Sequence, residues 1–308
     1  MVSKEIARAC ALLSSGGVIG LPTETVYGLG ADACHGEAVA KIYSLKNRPT
    51  FNPLILHVSS LPMAQNFGVF NEVALNLAKY FWQENKKPLT LVTHKIKNPG
   101  LSELATAGLE TVAIRLPNHP VALELIENYG SPLVAPSANP SNRLSTTTRE
   151  QVLSYFTDLY VLEGGKCQVG LESTIIDVTG NEPVILRHGG TPLEEISQFL
   201  GWDLGMASGE EIKAPGQLKT HYAPQTPLYM NAGNIQEGGC LLGFGNTSGA
   251  TLNLSIEGDL IEAASNLFES LHKLDRMGFK SIHVVRIPDE GLGRAINDRL
   301  KRAAWGNS

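Results

Sequence analysis

Four cysteines in 308 residues, Cys10, Cys34, Cys167 and Cys240, are too few and too far apart for a CxxC redox pair, a zinc ribbon or a disulfide scaffold. A reduced, cytoplasmic protein is the expectation. The sequence has no apolar run near the ~18–20 residues that span a bilayer. Its first ten residues, MVSKEIARAC, carry Glu5 and a helical period rather than a signal peptide. Basic charge is also lacking. The net charge is -5 and the pI about 5.9, which excludes grip on nucleic acid by bulk charge. The deficit is even, with 15 basic and 18 acidic side chains in residues 1–202 and 10 and 12 in 203–308. Common fingerprints are missing too. Gly164-Gly165-Lys166 runs into Cys167 without the earlier P-loop glycine, GFGNTSG (243–249) spaces its third glycine one residue too far for GxGxxG, and there is no HExxH, GxSxG or kinase signature.

A hydrophobic fraction of 43% against 18% charged describes a globular chain, not a disordered one. The length suggests two domains. Ile6, Cys10 and Leu13 recur at helical spacing behind Ser3 as N-cap and stop at Gly16-Gly17. Val18 to Leu21 reads as a strand, and Ala38, Ile42 and Leu45 mark a second helix. Strands are expected at 54–58, 89–93, 111–116 and 132–136, with a helix from Asn71 carrying Val73, Leu77 and Phe81. Residues 173–178 and 183–187 form a hairpin about Thr179–Glu182, and a helix from Pro192 to Leu200 closes the unit. This order implies an α/β, α+β-like domain with a twisted mixed sheet over 1–202. Residues 203–226, with Pro215, Pro224 and several glycines, read as a linker long enough to be functional. From 227 to 308 the order strand (228–230), strand (240–244), long helix, strand (281–287), helix (292–304) suggests a small doubly wound, Rossmann-like domain. The long helix puts Leu260, Ala264, Leu267, Leu271 and Leu274 on one stripe.

Three loops of the first unit concentrate polar residues after strands, where α/β folds place their sites. In LPTETVYGLGADA (21–33), Gly28 and Gly30 permit unusual φ and Thr23, Glu24, Thr25 and Tyr27 supply hydrogen bonds. In SLKNRPTFNPLILHV (44–58), Lys46 and Arg48 either complement a helix C-terminus or clamp an anion; Asn52 sits near two prolines, and His57 lies in an apolar strand. In VAPSANPSNRLSTTT (134–148), eight of fifteen residues are Ser, Thr or Asn. Arg115 and Arg187 end apolar strands, where an unpaired charge is costly and demands an anionic partner from protein or ligand. With several cations lacking obvious neighbouring acids, a polyanionic ligand such as a nucleotide fits these loops better than a sugar or lipid.

As an ordered set, LPTETVYGLG, KNRPTFNPLILHV, TVAIRLPNH, APSAN, ESTIID and ILRHG resemble the threonylcarbamoyl-AMP synthase family. APGQLKTHYAP (214–224) and GLGRAINDRLKRAA (291–304) resemble its long, two-domain form. The family often has a glycine after APSAN-x-S, where this chain has Asn142-Arg143. The resemblance implies condensation of L-threonine, bicarbonate (or CO2) and ATP to L-threonylcarbamoyl-AMP and diphosphate with Mg2+. It implies no fixed metal site, and a product handed to a separate tRNA-modifying transferase, with little or no direct tRNA binding. By the same resemblance Thr25, His57, Arg115, the Ala135 backbone and Ser173 would hold threonine. Arg48, Asn52, Thr111, Ser137, Ser145, Arg187 and Tyr222 would hold ATP, with Lys46 and Arg48 as the catalytic cations and the linker as a lid. Two other classes remain. A non-catalytic RNA-binding module would need a basic concave face. A carbamoyl-transfer enzyme of hydrogenase maturation would carry zinc-finger cysteine pairs and an acylphosphatase segment, both absent from this sequence.

Overall fold

Alternation along the strands decides which side of the main sheet carries chemistry. The computed structural model describes residues 3–207, 214–215, 222–231 and 235–305; the parts of the expected linker at 208–213 and 216–221 lie outside the described residues. The first sheet contains β1 (Ile19–Leu21), β2 (Gly28–Asp32), β3 (Ile55–His57), β4 (Gly68–Val69), β5 (Leu89–Lys95), β6 (Thr111–Arg115), β7 (Leu133–Val134), β8 (Thr174–Asp177) and β9 (Val184–Arg187). Their order is β1-β2-β7-β3-β6-β5-β8-β9, with β4 on β5. The pairs β3/β6 and β5/β8 are parallel, and the other pairs are antiparallel, so the sheet is mixed.

Side chains one residue apart point to opposite faces. Leu56, Leu91, Ile114 and Ile176 therefore face one way, into a core shared with α2 (Gly36–Lys46) and α4 (Glu72–Leu77). Their neighbours face the other way. The register aligns His57 with Arg115, Arg115 with Thr90, Thr90 with Ile175, and Ile175 with Arg187. One row of five residues thus crosses β3, β6, β5, β8 and β9, and three of the five are polar and basic or imidazole side chains.

Local signals set the helix starts. Ser3 caps α1 (Lys4–Ser14) by accepting from Ile6 N, and Asn71 caps α4 by accepting from Ala74 N. That helix continues as a π-helical turn over Ala78–Glu84, which buries Phe81 and Trp82. Thr148 and Gln151 form a capping box on α7 (Arg149–Tyr155). Leu45 is exposed although Ala38 and Ile42 are buried. The segment 28–32, expected to be loop, is strand β2. Neither Gly28 nor Gly30 has a positive φ, correcting the conformational role expected for them. Gly28 instead permits close approach, since a Cβ there would lie 2.9 Å from that of Ala135.

The second sheet is parallel, ordered β10 (Leu228–Met230), β13 (Ser281–Val284), β11 (Gly239–Gly243), β12 (Leu252–Asn253). Helices α9 (Leu260–Arg276) and α10 (Leu292–Ala303) pack against the face bearing Leu228, Cys240, Leu242, Ile282 and Val284. Ala264, Leu267, Leu271 and Leu274 bury the expected stripe of α9, while Leu260 is only partly covered. The same core takes in Val26, Leu144, Leu171 and Tyr222 from the loops above the first sheet. The two units are thus joined by apolar packing beside the site.

Candidate active site

The polar row opens into a cleft of about 500 Å³, counted to its mouth. Of the side chains singled out in the sequence, Arg48, His57, Arg115, Ala135, Ser137, Ser173, Arg187 and Tyr222 line it. They arrive from several elements and the loops between them.

His57 ends β3 and is 2% exposed. Its Nδ1 lies 3.1 Å from the Ile55 carbonyl. A carbonyl only accepts, so Nδ1 carries the proton and Nε2 is left as an acceptor. Burial, with Arg115 adding to it, pushes the imidazole down to about 3, so it is neutral at pH 7.

Arg115 ends β6 beside it. Its Nη2 lies 2.7 Å from Glu24 Oε1, both side chains being nearly inaccessible. This corrects the expectation that the strand arginines lack acidic partners: the loop after β1 supplies one. The ion pair does not have hydrogen-bond geometry. Arg115 Nε and Nη2 and both Glu24 oxygens remain without a hydrogen-bond partner among the described residues. A buried guanidinium with unused donors can take a carboxylate in bidentate fashion.

Arg187 ends β9 and has no acid within ion-pair distance among the described residues. Its Nε and Nη2 donate to the Ser173 carbonyl at 3.2 and 2.8 Å, and Nη1 donates to the Pro215 carbonyl at 3.4 Å. Burial lowers its affinity for the proton. Ser173 Oγ lies 2.7 Å from Thr90 Oγ1. Ala214, fully buried, packs on Ile55, Val92, Ala113, Ile175 and Leu186, so this described part of the linker lies on the apolar margin of the cleft.

Arg48 follows α2, which ends at Asn47 in a left-handed conformation (φ 51). Its Nε donates to Asn52 O and its Nη2 to Pro53 O. Burial pushes it down to about 10, still charged at neutral pH. Asn52 is buried behind it, with Oδ1 lacking a partner among the described residues.

Lys46 is placed differently from expectation. Its Nζ donates to the carbonyls of Ser137 and Asn139 and does not line the cleft. Burial, reinforced by Arg48, lowers its pKa well below that of an ordinary lysine. It ties the second loop to the third. Thr25 likewise turns away, its Oγ1 2.9 Å from that of Thr23. Ser145 lies one shell back, its Oγ donating to Glu172 Oε1 at 2.6 Å. Thr111 begins β6, at the far end of the strand from Arg115.

The third loop turns at Asn142, which has φ 67. Asparagine is among the few non-glycine residues that tolerate this region, so it can serve where the family resemblance leads one to expect glycine. Asn142 O accepts from Ala223 N, which docks the end of the linker here. Tyr222, also left-handed (φ 62), reaches the cleft from that point.

Two residues of the site went unrecognised in the sequence, and the role of a third was missed. Glu24 was read only as one of several hydrogen-bonding groups of its loop, not as the partner of Arg115. Glu172 precedes Ser173 and lines the cleft. Arg299, on α10 of the second unit, pairs with Glu172 at 2.9 Å. Burial opposes the Glu172 charge, but Arg299, Arg187 and the Ser145 hydroxyl overcome it and hold the carboxyl at about 2. No group of three or more His, Cys, Asp or Glu among the described residues could hold a metal, and both acids nearest the cleft are already paired with arginines.

Comparison with known proteins places this geometry. A family model described as Telomere recombination matches residues 11–189, and one described as Threonylcarbamoyl-AMP synthase, C-terminal domain, matches 191–305. The threonylcarbamoyl-AMP synthase of Bacillus subtilis is 38% identical, over 98% of this chain and 93% of that protein. That of Pyrococcus abyssi is 37% identical, over 97% and 94%. The crystal structure of P. abyssi Sua5 complexed with L-threonine superimposes with a TM-score of 0.88 at 36% identity, covering 97% of this chain and 94% of the other. Sequence motifs, two-sheet architecture and full-length similarity agree, and the chain belongs to the threonylcarbamoyl-AMP synthase family in its two-domain form.

Proposed function

We propose that this protein condenses L-threonine, bicarbonate (or CO2) and ATP to L-threonylcarbamoyl-AMP, diphosphate and water, the first step of threonylcarbamoyladenosine formation in tRNA. The observation that carries the reading is the convergence of Arg48, Arg115 and Arg187 with neutral His57 on one cleft whose one lining acid among the described residues, Glu172, is already paired with Arg299. The full-length relatives carry the matching name, and one was crystallised with threonine.

In this reading Arg115 takes the threonine carboxylate with the donors it leaves unused beside Glu24. His57 Nε2 accepts from the threonine amine or hydroxyl, with Ser173 and the Ala135 backbone closing the pocket. The amine adds to the bicarbonate carbon, whose hydroxyl leaves as water with an amine proton (CO2 would add with release of a proton and no water), and a carbamate oxygen attacks the α-phosphorus as the bond to diphosphate breaks. The chain supplies position and charge rather than a covalent intermediate. Arg48 and Arg187 face the phosphates. Ser137 and Tyr222 bound the nucleotide, and Asn52 and Ser145 act from behind them.

The cleft does not fit a resident Mg2+, because it offers no free carboxylate among the described residues. Mg2+ would enter on the ATP phosphates with its remaining water, as is usual for this ion. In this reading residues 1–202 are the catalytic unit, 203–226 the linker and 227–308 the second unit, and the transfer of an adenylyl group makes the enzyme a nucleotidyltransferase, proposed to work in the cytoplasm. Its acidic balance suits handing the product to a separate transferase rather than holding tRNA. No helix among the described residues is long and apolar enough to cross a membrane.

Mass spectrometry of the protein with ATP, Mg2+, bicarbonate and each amino acid in turn tests this. A carbamoyl-adenylate should accumulate with threonine, with stoichiometric diphosphate. Diphosphate release that is indifferent to threonine, or no adenylate with any amino acid, would overturn the assignment.

A further inference from the structure

The second unit places Arg299 directly behind the cleft, against Glu172. Arg299 is fully buried on α10. Its Nε donates to Glu172 Oε2 at 2.9 Å, and its Nη1 donates to the His188 carbonyl at 2.9 Å and to Asp298 Oδ2 at 2.8 Å. The guanidinium carbon sits 5.2 Å from the centre of the Tyr222 ring, within cation–π range. Tyr222 in turn packs against Phe268 of α9. Arg299 thereby touches, directly or through one residue, several groups around the phosphate side of the cleft. These are Glu172 and through it Ser145, Tyr222, and the backbone next to Arg187.

The charge balance gives this contact a consequence. Glu172 is the one acid lining the cleft among the described residues. Left unpaired it would face a triphosphate as a like charge in a low-dielectric setting, and it would offer Arg187 a competing anion. With Arg299 in place, Glu172 is neutralised from behind and Arg187 stays bound only to carbonyl and hydroxyl oxygens.

We propose that Arg299 is a positioning residue for the nucleotide: through it the second domain cancels Glu172 and holds Tyr222, so that the cleft presents Arg48 and Arg187 to the phosphates as uncompensated positive charge. This rests on the adenylate-forming reading above. It gives the second domain a part in ATP binding that requires no ligand of its own.

The test compares Arg299→Met, Glu172→Gln and the double variant in the full-length protein, with KM for ATP and for threonine measured separately and MgATP binding measured by calorimetry. Losing a charge-assisted contact of this kind corresponds to roughly a tenfold to a hundredfold change. Arg299→Met should raise KM and Kd for ATP by about that factor, with KM for threonine within about twofold of wild type. Glu172→Gln alone should bind ATP at least as well as wild type, and adding it to Arg299→Met should recover most of the loss. An ATP affinity unmoved by Arg299→Met, or a double variant as impaired as the single, overturns the proposal. Should Arg299→Met not fold, Glu172→Gln decides alone: weakened ATP binding there would overturn it. Wild-type turnover tests the adenylate-forming reading separately, and the calorimetric ratios stand even if that turnover is absent.

Discussion

Arg115 and Glu24 form a buried ion pair, Nη2 to Oε1 2.7 Å, across the loop that joins β1 to β2. Removing one member of such a pair strands the other charge, which costs about 3–5 kcal/mol. Arg115→Gln should therefore destabilise the fold by about that much and abolish productive threonine binding. Replacing both, Glu24→Gln with Arg115→Gln, should restore most of the stability and none of the threonine turnover. Urea midpoints and initial rates on the same preparations separate the two effects. Recovery of turnover in the double variant would show that Arg115 does not hold the substrate.

The burial of His57 makes a second prediction about pH. The imidazole titrates at about 3 in the fold against an ordinary 6.5, through burial first and Arg115 second. The unfolded chain therefore binds the extra proton between these values, and stability falls as pH drops from 6.5 toward 3, with no contribution above 6.5. Glu172, at about 2 against 4.5, adds a loss in the same direction below 4.5. Burial lowers His188 and His272 likewise, so the wild-type slope exceeds that of one group. His57→Gln should flatten the stability curve between pH 6.5 and 4.5 by about 1.4 kcal/mol per pH unit. An unchanged slope in urea titrations across this window would mean that His57 keeps its ordinary affinity for protons.

Much of this site could be read from the chain, and what could not has a common cause. Arg115 and Arg187 stood out because a charge at the end of an apolar strand needs an anion, and the structure brings both to one row. Their partners did not stand out. Glu24 lies far from Arg115 in sequence, and Glu172 is separated from Arg299 by 127 residues. Pairing over such separations is created by the fold, and no local spacing encodes it. The same limit explains Lys46. Its place beside Arg48 suggested a paired clamp, but which carbonyls its Nζ reaches depends on where the third loop packs. Strand β2 was obscured by its glycines, which serve close packing there rather than a turn.

Lys46 and Arg48 should consequently fail in different ways. Lys46→Met leaves the buried Asn139 carbonyl without its lysine donor, while the Ser137 carbonyl keeps the Asn139 N–H; at about 1–3 kcal/mol for the lost buried bond, the variant should lose stability and, by loosening the third loop, lower kcat. Arg48→Ala removes a charge that lines the cleft and should cost roughly tenfold to several hundredfold in kcat/KM for ATP. Thermal melts alongside steady-state kinetics distinguish them. Wild-type diphosphate release from Arg48→Ala would take Arg48 out of the site.

Gly189 provides a purely steric test of how the cleft is held together. It follows β9, and its φ is not positive, so backbone conformation does not require glycine there. Space does: a Cβ would lie 2.3 Å from Glu172 O, 2.3 Å from Ser173 C and 2.4 Å from Thr174 N. All three are main-chain atoms that no rotamer change can move, so Gly189→Ala must push the end of β9 away from residues 172–174. The same shift would displace the Ser173 carbonyl from Arg187 and the His188 carbonyl from Arg299. Overpacking of this kind costs about 1–3 kcal/mol, and here the strain falls on Arg187, which faces the phosphates, and on Arg299 behind Glu172. Gly130→Ala is the matched control. Gly130 ends α6 (Pro120–Tyr129) at φ 77 with nothing within 4 Å of its Cβ position, so alanine there costs about 1–2 kcal/mol through its left-handed backbone alone. At a temperature where both variants are folded, Gly189→Ala should lose most of its turnover with a raised KM for ATP, and Gly130→Ala should match wild type. Equal activities in the two would mean that the contact between β9 and residues 172–174 does not set the geometry of the phosphate side.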